Sequence, residues 1–139
     1  TQYWSHMLNT PIQNTWYGLA FERVCLDHVW QILHTIGIDR IQTDYYSWRS
    51  KATTPKSQID LIIDRADGIV TLCEMKYSAS IYQMTAEESA RITTRLQNYI
   101  TETSTKKGVQ TALVTTFGLK AGKNANVVQN VICLDDLFV

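Results

Sequence analysis

Polar and apolar positions between residues 58 and 77 form two strand-like runs, Gln58-Ile59-Asp60-Leu61-Ile62-Ile63-Asp64 and Leu72-Cys73-Glu74-Met75-Lys76-Tyr77. Ala66-Asp67-Gly68 separates them, and a three-residue loop with glycine at the left-handed position is a common hairpin connection. Such a loop pairs Arg65 with Ile69, and counting back from it sets Asp60 opposite Glu74. Opposed residues of an antiparallel pair share a face. The pattern therefore predicts Asp60, Glu74 and Lys76 on one face with Ile62, Val70 and Leu72. Ile59, Leu61, Ile63, Ile69, Cys73 and Met75 are expected on the other, as core. A two-residue Asp67-Gly68 loop would shift the register by one and turn Asp60 to the wrong face.

A helical period runs from about Asn14 to Ile36 and stops at Gly37. One stripe holds Phe21, Cys25, His28, Ile32 and Ile36, and an adjoining one holds Glu22, Leu26, Val29 and Leu33. Ile41 to Trp48 alternates and is rich in Tyr, Thr and Trp, as strands are. A polar, basic loop with Arg49, Lys51, Pro55 and Lys56 follows. Thr85-Ala86-Glu87-Glu88 has the capping-box pattern and opens a helix to about Ser104, closed by Lys106-Lys107-Gly108. Strands are expected at 109–116 and near 127–134, with a Gly/Lys/Asn loop between them. The order of helix, three strands, helix and two strands implies an α/β fold, a mixed sheet with helices on both faces.

A chain of 139 residues forms one domain. Its zero formal net charge argues against a broad nucleic-acid surface and leaves local basic patches. Cys25, Cys73 and Cys133 lie in apolar segments without close spacing, fitting buried free thiols in a reducing, cytoplasmic compartment. No apolar run approaches a membrane span, so no membrane partner is expected. The chain starts at Thr1 without methionine. Residues 1–13 read as the remnant of a connection to a preceding domain, and 14–139 as the domain itself. Tyr3, Trp4 and Trp16 form an aromatic segment suited to self-association or to contact with that neighbour.

Charges seldom occupy strands this apolar, because burying an unpaired ion costs several kcal/mol. Asp60, Glu74 and Lys76 together, with Glu22 heading a buried helical row, suggest a divalent-metal site that cuts phosphodiesters. The plainer reading is a buried ion pair that satisfies itself, but it leaves the second and third carboxylates unexplained. Arg91 and Arg95, four apart on one helix, would face a phosphate or pair with Glu87 or Glu88. Lys51 and Lys56 would clamp a backbone or simply face water. Gly118 to Asn124 falls short of a phosphate-binding loop, lacking one residue between its glycines and the following Ser/Thr, so ATP is not expected here. Cys25-x-x-His28 lacks a second ligand pair and reads as core.

The αβββαβ order, Glu22, Asp60 and Glu74-Met75-Lys76 resemble the PD-(D/E)xK nuclease superfamily. The resemblance covers about residues 14–134. Trp16 to Glu22, Tyr46 to Ser50, Gln58 to Asp60 and Cys73 to Tyr77 are similar to the C-terminal domain of a group of prokaryotic AAA-type ATPases. It implies a restriction-endonuclease-like core, DNA cleavage and an N-terminal ATPase partner. It further implies Mg²⁺ (or Mn²⁺) held by Asp60, Glu74 and the Met75 carbonyl. Lys76 would orient the attacking water and stabilise charge at phosphorus, Glu22 would complete the site through a water or second metal, and Gln58 would touch substrate. The resemblance also allows a non-catalytic module that binds nucleic acid or a partner and regulates the ATPase. Ile59 stands where the motif's proline would be. Gln97 and Tyr99 are two apart, unlike the four-apart pair of related exonucleases, and that role is not transferred.

Overall fold

A computed structural model describes residues 11–51 and 57–139, with only the backbone of residues 11 and 12. Lys56, Pro55, Tyr3 and Trp4 lie outside the described residues. Helix α1 spans Pro11–Asp27 and α2 spans Val29–Thr35. Strands β1 (Thr43–Arg49), β2 (Gln58–Arg65) and β3 (Ile69–Lys76) follow, then α3 (Ala86–Thr103). β4 (Gly108–Thr115) and β5 (Asn130–Cys133) complete a five-stranded sheet in the order β1-β2-β3-β4-β5. The first three strands are antiparallel, while β3, β4 and β5 run parallel. α3 carries the chain between the parallel β3 and β4, as a crossover must. The result is an α/β domain with a mixed sheet flanked by helices, in the αβββαβ order of a restriction-endonuclease-like core. Among the described residues no helix is long and apolar enough to cross a membrane.

Two cores sandwich the sheet. Phe21, Cys25 and Ile32 from α1 and α2 pack on Leu61, Ile63, Cys73 and Val114. On the opposite face Tyr99 and Leu96 from α3 pack with Ile59, Ile62, Val70 and Leu72. The three cysteines are free. Cys25 and Cys73 are buried, and burial pushes both thiols up to about 12. Cys133 is only half-buried, a departure from the fully buried trio expected.

Helix boundaries differ from the sequence pattern in two places. The single helix expected to Ile36 is two, because His28 leaves helical geometry (φ −126°). Its backbone N–H bonds Cys25 O at 3.0 Å, and its imidazole Nδ1 lies 2.7 Å from Val24 O, the carbonyl that an unbroken helix would use. Gly37 does end α2, at φ 79°. α3 is closed by Ser104 in the left-handed region (φ 52°), and Gly108 instead begins β4. Lys107 leaves the helix end altogether, its Nζ donating to Asp64 Oδ1 at 2.6 Å and Arg65 O at 2.7 Å.

The hairpin turn behaves as expected. Ile63 pairs with Thr71 and Asp64 with Val70, and Gly68 takes φ 88°. A side chain there must adopt a backbone conformation costing about 1–2 kcal/mol. Gly68→Ala should lower stability by that amount in urea denaturation, and an unchanged midpoint would show that the turn tolerates another geometry.

Candidate active site

Pairing of β2 with β3 ends at Leu61 and Cys73, so Asp60 and Glu74 lie immediately beyond the last rung, where the strands part. The register thus agrees with the counted one. The facing does not. On the β1 side, Tyr46 pairs with Ile62 but Trp48 pairs with Ile59, leaving Asp60 and Leu61 together opposite Ser47. This β-bulge places an extra residue in β2 and breaks the alternation. Ile59 consequently joins the α3-side core with Ile62, correcting its expected place beside Leu61. Asp60 meets Glu22 of α1 instead of sharing a cluster with Glu74.

Glu22 and Lys76 line a cleft of about 540 Å³ between the first half of α1 and the end of β3, with Asn14, Gly18, Tyr77 and Ser78. α1 is anchored beside the cleft by buried Phe21 and Cys25 and by Tyr17, which stacks on Tyr77 at 5.4 Å. The Glu22 and Asp60 carboxyls are close neighbours. Burial pushes Glu22 above its ordinary value, the neighbouring Asp60 adds to the rise, and Lys76 opposes it. Gln58 Nε2 donates to Asp60 Oδ1 at 2.8 Å, and Arg49 Nη2 donates to Gln58 Oε1 at 3.1 Å. Gln58 therefore shares Asp60's surroundings, as its two-residue spacing suggested.

Glu74 and Lys76 turn toward α3. Arg95 grips Glu74 with a two-pronged pair, Nε to Oε1 at 2.9 Å and Nη2 to Oε2 at 3.1 Å. Burial raises the Glu74 carboxyl, and Arg95 counters it. The centre of this half is Glu88, only 4% exposed. It receives Lys76 Nζ at 3.1 Å, Arg91 Nη2 at 2.6 Å and Arg95 Nη2 at 3.2 Å. Burial works against the Glu88 anion, but Arg91 and Lys76 outweigh it and hold the carboxyl below its usual range.

Glu88 was legible only as a capping residue. Its backbone N–H does donate to Thr85 Oγ1 at 3.1 Å, while its side chain turns to the cations. The available signal was an acid four residues before Ile92 and eleven before Tyr99, on the buried stripe of α3. Of the two alternatives for these arginines, Arg91 takes the pairing one, with Glu88, and Arg95 pairs with both Glu88 and Glu74. Lys51 contributes its backbone N–H to Glu102 Oε1 at 2.9 Å, and the residue is exposed.

The residues expected to hold a metal therefore divide into Glu22 with Asp60, and Glu74 by itself on Arg95. Among the described residues no group of three or more His, Cys, Asp or Glu could hold a metal ion. Two adjacent carboxylates beside an open cleft nevertheless fit a hard cation such as Mg²⁺, which is often bound through one or two carboxylates with water and phosphate oxygens completing its shell. Met75 pairs with Val114 in the β3–β4 ladder and its side chain packs on the α1-side core.

No protein-family model matches this chain, and no curated protein matches it in sequence. A crystal structure described as a protein of unknown function, AF1548, is similar in fold, with a TM-score of 0.52 and 13% sequence identity. The match covers 78% of this chain and 61% of that protein, so this chain spans about three-fifths of its neighbour's length. At that identity the likeness is one of fold.

Proposed function

We propose that this chain is a metal-dependent phosphodiesterase acting on nucleic acid, with DNA the preferred substrate, and that it serves as the C-terminal domain of an AAA-type ATPase. The observation that carries the hydrolytic reading is Glu22 lining a cleft with Lys76 while Asp60 stands beside Glu22. Glu22 and Asp60 would hold Mg²⁺ or Mn²⁺, and the ion would supply Lewis-acid polarisation of a phosphate oxygen. Lys76, one-third exposed and fixed by Glu88, would stabilise negative charge on the phosphate. Gln58 would orient the Asp60 carboxylate through its 2.8 Å hydrogen bond. The preference for DNA and the ATPase partner rest on the family resemblance.

A second reading is a non-catalytic module that binds nucleic acid or a partner and regulates the ATPase. It is favoured by the Arg95–Glu74 pair, which neutralises a carboxylate that the nuclease reading would give to metal. The deciding experiment is cleavage of single- and double-stranded DNA and RNA with Mg²⁺ or Mn²⁺, against a chelator control. Metal-dependent cleavage is expected. Absence of cleavage on every substrate, with flat calorimetric metal titrations, would sink the hydrolytic reading and favour the regulatory one.

A further inference from the structure

The Arg95–Glu74 contact engages both carboxylate oxygens, at 2.9 and 3.1 Å, and both side chains are largely buried, 20% and 12% exposed. A planar guanidinium fork matches a carboxylate in this bidentate way, and lysine cannot reproduce it. Arg95 is also tethered from behind, because its Nη2 reaches Glu88 Oε1 at 3.2 Å. Glu88 is in turn held by Lys76 and Arg91, so the fork is supported by a network spanning the end of β3 and the first turns of α3. A cation approaching Glu74 would have to displace a guanidinium that already neutralises it and has a second anchor. The Glu22–Asp60 pair has a different setting. Its neighbours are the neutral Gln58 amide and, at longer range, Lys76.

We propose that Arg95 is a built-in counter-ion for Glu74 that keeps this carboxylate out of cation binding. The site then takes one divalent ion on Glu22 and Asp60, and Glu74 becomes a ligand only when Arg95 is withdrawn. This rests on the metal-dependent reading above and adds to it which carboxylates are available. It also gives Glu88 a positioning role, since Glu88 holds the rear of Arg95 and the ammonium of Lys76 at once.

The test is Mn²⁺ binding to the full chain, followed by calorimetry and by the electron paramagnetic resonance of free Mn²⁺, with no substrate present. Arg95→Gln should bind Mn²⁺ about tenfold or more tightly than the wild type, the scale on which neighbouring groups tune a metal site. Adding Glu74→Gln to that variant should return the affinity to the wild-type value. Wild-type binding with unchanged or weaker binding by Arg95→Gln would overturn the counter-ion role and leave the metal reading standing. No Mn²⁺ binding by either protein would overturn both. Should Arg95→Gln fail to fold by circular dichroism, Glu74→Gln in the otherwise wild-type chain decides: unchanged Mn²⁺ affinity supports the proposal, because Arg95 already keeps Glu74 out of the site, and an affinity weakened about tenfold or more overturns it.

Discussion

Glu88→Ala should lower the unfolding free energy by about 3–5 kcal/mol, the usual cost of breaking a buried ion pair by removing one partner. The effect arises less from the lost attraction than from what is left behind. Lys76, Arg91 and Arg95 converge on Glu88 within 3.2 Å, and without it three cations face one another with Glu74 as the nearest remaining acid on Arg95. Arg91 is 60% exposed and can turn to water, so the cost falls mainly on Arg95 and Lys76. Glu88→Gln retains an acceptor and should lose less. The midpoint of urea denaturation at constant slope measures both variants. A loss below about 1 kcal/mol for Glu88→Ala, the scale of an exposed pair, would mean that solvent already screens the cluster.

The same residue sets a pH dependence with a definite sign. The folded-state value of Glu88 lies below the ordinary 4.5. Its contribution is therefore complete above about pH 4.5 and is lost as pH falls through the folded value. Glu22 and Glu74, raised in the folded state, act in the opposite sense; Glu22 is common to wild type and variant, while the part of the Glu74 rise that Glu88 causes is lost in the variant. The difference in stability between wild type and Glu88→Gln should thus shrink on acidification below about pH 4.5. A difference that stays constant to pH 3 would contradict the depressed value.

Under the nuclease reading, Lys76→Ala should reduce metal-dependent cleavage by about 10²- to 10³-fold, the loss typical of removing one preorganised donor of charge stabilisation. Lys76 lines the cleft with Glu22 while its Nζ is held 3.1 Å from Glu88. That hold fixes the ammonium on Glu88, within electrostatic reach of Glu22. Stability should suffer much less than in Glu88→Ala, because Arg91 and Arg95 remain on Glu88 and the lysine side chain is already 33% exposed. Rates compared at equal folded fraction separate the two effects. Asp60→Ala should reduce cleavage at least as far, since it removes half of the carboxylate pair. A Lys76→Ala enzyme cleaving at the wild-type rate would confine Lys76 to the Glu88 network and remove it from the chemistry.

Local rules carried much of the architecture. The Ala66-Asp67-Gly68 turn set the β2–β3 register to the residue, because a glycine at φ 88° and two alternating runs leave few other pairings. Helix α3 opened at its Thr85 cap for the same kind of reason. The misplacements occurred where a side chain or a neighbouring strand competed with the local pattern. His28 took the carbonyl that would have continued α1, and Lys107 left its helix end to reach Asp64 and the Arg65 carbonyl.

The candidate site divides along the same line. Its residue types, the opposition of Asp60 to Glu74 and the presence of Glu22 on the covering helix were determined by the sequence alone, since each follows from period, turn and spacing. Which carboxylates stand together was decided by the tertiary structure. The bulge opposite Ser47 sends Asp60 to Glu22, and its origin lies in the pairing of β1 with β2, two segments whose register no local sequence pattern sets. Arg95, 21 residues beyond Glu74, becomes its partner only because α3 packs back over the sheet. Charge pairing acts through space, and a one-dimensional pattern records distance along the chain.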